Sequence, residues 1–350
     1  MSKWIIVDHR IDDNSAWSKA PLDIERVLLK ESFLPINMHF VPSRNIILYC
    51  ISTLAFVLRM LRSGILMKRG DVVVLQNPVA TWGRISQKLL VTLVRLKKLK
   101  LIVIVHDLIG ERPGWVSEGP KAQQDELFAL AHKIVVHTEN MKRRLQAKDI
   151  LGSKMSVLGI FDYLTEEGAS TTEVLSKPML NVAGNLSPLA TGYLKEIKTV
   201  KSVSWNLYGP NYEPSIIGGE NVRYSGVAGP DELPSKLTEG FGLVWYGDSL
   251  NSCEWPLKDY LTIIMPHKLS LYLASGMPVV VHKDFACADF VAEHHVGLVV
   301  SSVYEAIDKI KSMNEDDFAK YAENAASVGY RLRDGYYIKR AIGIEEGTVQ

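Results

Sequence analysis

Short, continuous, β-branched runs alternate with longer amphipathic stretches along this chain, and the alternation happens twice. Runs such as Val72-Val-Val-Leu75 and Leu101-Ile-Val-Ile-Val105 are apolar at every position. A strand of that kind is buried on both faces, which is the mark of a parallel sheet covered by helices. Strands are predicted at Trp4–Val7, Met38–Val41, Val72–Gln76, Leu101–His106, Lys133–His137 and Met155–Leu158. Helices are expected between them, near 19–32, 46–66, 84–98, 121–131 and 139–149. The polar stretch Thr165-Glu-Glu-Gly-Ala-Ser-Thr-Thr172 interrupts the pattern and reads as a linker. Alternation restarts with strands at Leu180–Ala183, Ser204–Tyr208, Val222–Ser225, Gly242–Trp245, Val279–Val281 and Gly297–Val300. The helices expected there lie near 191–200, 231–238, 266–275, 286–294, 303–312 and 315–333.

The reading is an α/β chain of two doubly wound, Rossmann-like domains. Its boundaries are an N-terminal domain over 1–164, a linker over 165–178, a second domain over 179–330 and a tail over 331–350. Ligands of such sheets bind beyond the carboxyl ends of the strands, so a cleft faced by both domains is the expected site.

A length of 350 residues exceeds what one growing core accommodates, in keeping with two domains. The formal net charge of +1 argues against a dedicated nucleic-acid binder. Cys50, Cys253 and Cys287 have neither CxxC nor metal-ligand spacing and read as reduced thiols of a cytoplasmic protein. The chain enters Trp4–Asp8 without the basic and apolar regions of a signal peptide. Ile46–Leu58 is the most membrane-like segment, well short of the roughly 20 residues a bilayer span needs. It reads as a buried helix or an oligomer face. The competing reading is peripheral contact with a membrane surface, because Arg59, Arg62, Lys68 and Arg69 follow.

Several strand ends carry chemistry. Pro266-His267-Lys268 opens a helix that Gly276 and Pro278 close. Free N–H groups, the positive dipole end and a cationic side chain together favour a phosphate or diphosphate; the plainer reading is a helix with a solvated lysine. Gly184-Asn185-Leu-Ser187 ends a strand with a permissive glycine and neutral donors, or is simply a strand-to-helix turn. Tyr208-Gly209-Pro-Asn211-Tyr212 offers Tyr208 or Tyr212 for stacking on a base. Trp245-Tyr-Gly247-Asp248-Ser249 runs a strand into a polar turn, with Trp245 read as core. In the first half, His106-Asp107 ends the most apolar strand, and either residue is a candidate base for an acceptor hydroxyl; the alternative is a loop hydrogen bond. Asn14 and Ser15 lie in an Asx-rich turn after the first strand, placed to meet acceptor or diphosphate.

No Asp-x-Asp triplet follows an apolar strand and no ligand cluster has metal spacing, so no bound metal and no cofactor is expected. The missing G-x-G-x-x-G and Walker loops disfavour dehydrogenases, epimerases and kinases. Glu239-Gly-Phe-Gly242 starts like the Glu-x7-Glu signature of retaining GT-B enzymes, but its partner position is Gly247.

In order and spacing, these blocks resemble a family of small bacterial GT-B glycosyltransferases. The family includes a β-1,6-galactofuranosyltransferase of O-antigen assembly and a glucosyltransferase of streptococcal serine-rich adhesins. The resemblance runs from about Leu101 to Tyr337 and also rests on Val136-His137-Thr138-Glu-Asn140, Ile160-Phe161-Asp162-Tyr163-Leu164 and Asp259-Tyr260-Leu261. It implies a UDP-sugar donor held by the second domain, with Lys268 on the diphosphate, Asn185 and Ser187 nearby, and a tyrosine of the Tyr208–Tyr212 block beside the nucleotide. It also implies a metal-independent, inverting transfer of a hexose to a glycan, lipid-linked or glycoprotein acceptor, and a homo-oligomer. Two departures stand out: Ile264-Met265 where the family has Asn-Asn, and Pro188-Leu189 where a basic residue is common. They motivate the rival expectation of a non-catalytic glycan-binding or assembly subunit.

Overall fold

The computed structural model describes residues 1–8, 16–38, 46–78, 84–112, 118–165, 178–188, 191–254 and 258–344. The chain forms two compact units, one from residues 1–13, 21–158 and 338–350, the other from 14–20 and 159–337.

The first unit holds β1 (Lys3–Asp8), α1 (Ala16–Lys30), β2 (Leu34–Met38), α2 (Ile46–Leu66), β3 (Val72–Asn77) and α3 (Arg84–Lys97). It continues through β4 (Lys100–Val105), α4 (Glu118–Leu130), β5 (Lys133–Val136), α5 (Glu139–Gln146) and β6 (Met155–Val157). The six strands are parallel in the order β2-β1-β3-β4-β5-β6. The all-apolar runs fill the centre: Val73, Val74, Leu101, Val103, Ile104 and Val105 have no exposed surface. Helix α2 packs on α3, and α3 on α4.

One strand differs from expectation. The second lies at Leu34–Met38 rather than Met38–Val41. Pro35 makes that run read poorly as a strand, yet β2 is the sheet edge, where a missing N–H breaks no interior ladder.

The second unit holds β7 (Met179–Ala183), β8 (Ser204–Tyr208), α6 (Pro214–Ile217), β9 (Val222–Tyr224), α7 (Leu233–Lys236) and β10 (Phe241–Val244). Then come α8 (Lys258–Leu261), α9 (His267–Ala274), β11 (Val279–His282), α10 (Cys287–His294) and β12 (Gly297–Val300). Helices α11 (Val303–Ser312), α12 (Glu315–Arg333) and α13 (Tyr336–Ile342) close the fold, residues from Ile338 onward belonging to the first unit. The parallel order β12-β11-β10-β7-β8-β9 is the dinucleotide-fold winding, with its direction reversing between β7 and β10. Where a helix was expected at 191–200, two short 3-10 turns stand at Gly192–Lys195 and Ile197–Thr199. The Tyr193 N–H, in the first turn and so without an intrahelical acceptor, donates to the Gly247 carbonyl, 3.2 Å away.

His137, just past β5, is buried and donates from Nε2 to the Val105 carbonyl at 2.8 Å. Burial pushes its pKa down to about 4. The unfolded chain takes up this proton near pH 6.5, so the contribution is complete above that value and is lost as pH falls toward 4, at up to about 1.4 kcal/mol per pH unit. Urea midpoints are expected to fall across that window, and His137→Gln is expected to flatten the slope; an unchanged slope would place the acid sensitivity elsewhere.

Candidate functional site

Doubly wound sheets hold ligands where the strand order reverses, beyond the carboxyl ends of the strands. In the second unit that point lies past Ala183 of β7 and Val244 of β10. Gly184 follows β7 with φ 124° and donates its N–H to the Tyr208 carbonyl at 2.9 Å. Gly209 follows β8 with φ 143°, and a Cβ there would collide with the Gly184 carbonyl oxygen. Two glycines thus let adjacent loops close on each other. Leu186 N–H to the Pro210 carbonyl, at 3.0 Å, continues the join.

Side chains complete it. The Asn185 Oδ1 accepts from the Ser187 N–H at 3.0 Å and from Asn211 Nδ2 at 2.9 Å. Its own exposed amide N–H groups make no hydrogen bond to the described residues. Behind the loop, the buried Tyr272 hydroxyl accepts from the Ala183 N–H at 2.8 Å and donates to the Asn181 carbonyl at 3.1 Å. Its ring lies against β10 where Gly242 leaves room, since a Cβ there would strike it.

Lys268, in the first turn of α9, reaches this loop. Its Cε stands 3.1 Å and its Nζ 3.6 Å from where a Cβ on Gly184 would be. The Nζ also lies 5.2 Å from the Tyr246 ring centroid. Burial pushes the ammonium down to about 8, and no carboxylate among the described residues pairs with it. A largely desolvated cation without a counter-ion, beside a helix N-terminus and glycine backbone, is arranged to take an anion.

His267 is not a second cation. Its Nε2 is buried without a hydrogen-bond partner among the described residues, and its ring lies 5.2 Å from Tyr163 and 6.2 Å from Phe161. Burial, with the Lys19 charge adding to it, pushes the imidazole down to about 3. Lys19 itself pairs with Asp231 at 2.6 Å over the Tyr163 ring.

The remaining predicted residues divide. Asp248 is exposed against Gly192, and Ser249 Oγ accepts from the Asn251 N–H at 3.1 Å. Tyr208 is buried and its hydroxyl donates to the Lys236 carbonyl at 3.0 Å, whereas Tyr212 is half-buried and stacked on Tyr224 with centroids 4.3 Å apart. Of the two tyrosines, only Tyr212 keeps part of its ring at the surface. At the departures from the family pattern, Met265 and Pro188 are buried and Ile264 half-buried.

In the first unit, the ends of β3 and β4 form a wired polar cluster. Gln76 Nε2 donates to the Pro21 carbonyl at 3.0 Å and to Glu25 at 3.3 Å, which turns its Oε1 toward His106 Nε2 at 2.7 Å. His106 therefore carries its proton on Nε2, and Nδ1 is its accepting nitrogen. Asp107 is buried and paired with Arg112 at 3.0 Å, and its carbonyl accepts from Gln124 at 2.9 Å. Asn14 and Ser15 lie outside the described residues. Among the described residues, no three His, Cys, Asp or Glu converge to hold a metal ion.

Two family models match the chain. The model of the glucosyltransferase 3-like N-terminal domain matches residues 2–160, and that of the C-terminal domain matches residues 180–343. The chain belongs to the glucosyltransferase 3-like family. This glucosyltransferase 3-like chain is 28% identical over 249 residues to the β-1,6-galactofuranosyltransferase WbbI of Escherichia coli, covering 70% of this chain and 71% of that one. It is 28% identical over 285 residues to glucosyltransferase 3 of Streptococcus parasanguinis, covering 79% and 78%. In fold it is similar to sucrose-phosphate synthase of Thermosynechococcus elongatus, with a TM-score of 0.64 over 97% of both chains at 10% identity. The glucosyltransferase 3-like chain is a glycosyltransferase of the GT-B class.

Proposed function

We propose that the second unit binds a UDP-hexose and that the enzyme passes the sugar to a glycan acceptor in surface polysaccharide or glycoprotein assembly, without a metal ion and with inversion. The observation that carries this reading is the Lys268 ammonium against Gly184 at the switch point, with no carboxylate partner among the described residues. As the sugar–phosphate bond breaks, negative charge grows on the departing diphosphate. Lys268 and the first N–H groups of α9 stabilise it there, the role a metal plays elsewhere. The acceptor hydroxyl gives its proton to a first-unit base, His106 through Nδ1 or Asp107. Glucose, galactose and galactofuranose are the candidate sugars, because the curated relatives are named for glucosyl and galactofuranosyl transfer.

Thermal shift with UDP, UDP-glucose, UDP-galactose and UDP-galactofuranose tests it. A ligand at about a hundred times its Kd stabilises by about 2.7 kcal/mol, so a shift of several degrees, unchanged by EDTA, is expected from UDP and at least one sugar. A shift abolished by EDTA would overturn the metal-free transfer, and no shift with any of the four would overturn the donor.

A further inference from the structure

The first unit carries a surface that the donor reading does not use. Helix α2 turns Phe56, Met60 and Gly64 inward, and Gly64 meets α3 so closely that a Cβ there would lie 2.8 Å from Leu93 Cδ2. Its outer side is apolar. Ile47, Ile51, Leu54, Leu58, Leu61 and Ile65 recur at spacings of four and three and are 45–80% exposed. They form one stripe about 27 Å long at 1.5 Å per residue.

Charge marks the same surface. Residues 46–100 contain ten Lys and Arg and a single acid, a net of +9 in a chain whose total is +1, so the rest of the chain carries −8. That acid, Asp71, is buried and accepts from the Ser2 and Lys68 N–H groups, so it neutralises nothing outside. Arg59 and Arg62 of α2 are exposed, as are Arg84, Lys88 and Arg95 of the neighbouring α3. Apolar Ile85 and Leu96 stand exposed among them, at 62% and 77%. Beyond residue 100, Asp107 is buried and Glu111 is paired with Arg144 and Lys148, and the next exposed acids are Glu118, Asp125 and Glu126 of α4.

We propose that the outer face of α2 and α3 docks on an anionic phospholipid surface, with α2 lying in the plane of the headgroups. Among the described residues no helix is long and apolar enough to cross a membrane, so the stripe is suited to lie on a bilayer rather than span it. Basic side chains without acids complement anionic headgroups. A second copy offers no such match: pairing this face with itself opposes Arg59, Arg62, Arg84, Lys88 and Arg95 to their own copies and brings those cations no carboxylate. The charge therefore selects lipid over self-association. The inference does not rest on the donor reading and is tested separately from it.

The test is co-sedimentation of the full chain with vesicles of phosphatidylcholine, with and without about 30% phosphatidylglycerol, at about 0.1 and 0.5 M salt. Binding to the anionic vesicles is expected, with partitioning about tenfold or more lower on pure phosphatidylcholine and at the higher salt. The double change Arg59→Glu, Arg62→Glu and the single Leu58→Ser each alter exposed side chains. Each is expected to cut partitioning about tenfold while leaving the melting temperature and the UDP shift intact. Absence of wild-type protein from the anionic pellet overturns the proposal. So does equal binding to neutral vesicles, or light scattering that shows a dimer which Leu58→Ser dissociates in a protein that binds no vesicles; that last result would make the face an interface between copies.

Discussion

Lys268→Ala leaves a folded protein whose turnover falls by about 10²–10³, the loss typical when one donor to a developing anion is removed. Its thermal midpoint holds or rises, because the change removes a cation that burial disfavours and that no carboxylate among the described residues answers. A purely structural lysine would lower both. The charge also has a pH signature. The folded ammonium releases its proton near 8, whereas an unfolded lysine keeps it to about 10.5. Between those values the unfolded state binds more protons, so stability rises with pH there, and the cost of the buried cation is fully present below 8. Donor affinity moves the opposite way, flat at neutral pH and weakening above about 8 by up to tenfold per unit as the free enzyme loses its charge. Calorimetric titration with UDP from pH 6.5 to 9.5 measures it. An affinity indifferent to pH, or a variant with full turnover, would remove Lys268 from the site.

Gly209→Ala carries the second large effect. The position has φ 143°, and the new methyl group would press on the Gly184 carbonyl oxygen, which is backbone and cannot swing aside. Relief requires the loops after β7 and β8 to part, taking Asn185 and Asn211 with them. Strain of this kind costs about 3 kcal/mol or more, seen as a drop in melting temperature of several degrees together with loss of UDP protection. Gly226→Ala separates backbone preference from collision: its φ is also positive, at 85°, yet nothing stands within 4 Å of the new carbon. That control is expected to cost only about 1 kcal/mol and to keep the UDP shift. Equal losses in the two variants would show that the closeness of the loops is irrelevant to the ligand.

The sheets were legible because strands such as β3 and β4 are buried on both faces, and a central parallel strand leaves no polar position to blur the signal. Legibility failed where a neighbour overrides the local pattern. Pro35 obscured β2, and two short 3-10 turns stand where a helix was expected at 191–200. The site divides in the same way. Gly184, Asn185 and Lys268 were recognisable as residue types at strand and helix ends, and their meeting at one point is a matter of topology. Tyr272 was missed as a support because its hydroxyl acts on β7, 89 residues away; the isolated Gly242 within a strand was the available sign of a close approach. The assignment of Nδ1 as the accepting nitrogen of His106 depends on Gln76, 30 residues upstream, and no local pattern encodes it.

The path of the chain has a consequence for synthesis and dissection. Strand β6 closes one edge of the first sheet, and Ser156 there donates to the Ala341 carbonyl, 185 residues downstream. Arg340 likewise reaches back to the Leu158 carbonyl at 3.4 Å. The first unit therefore remains unfinished on the ribosome until the second has been translated, and such distant pairings make folding slow. A fragment ending at the linker lacks its own last helix, while one beginning there lacks residues 14–20 of its unit. Cutting this enzyme at its most obvious seam yields two incomplete pieces, and a circularly permuted chain is the better route to studying either unit alone.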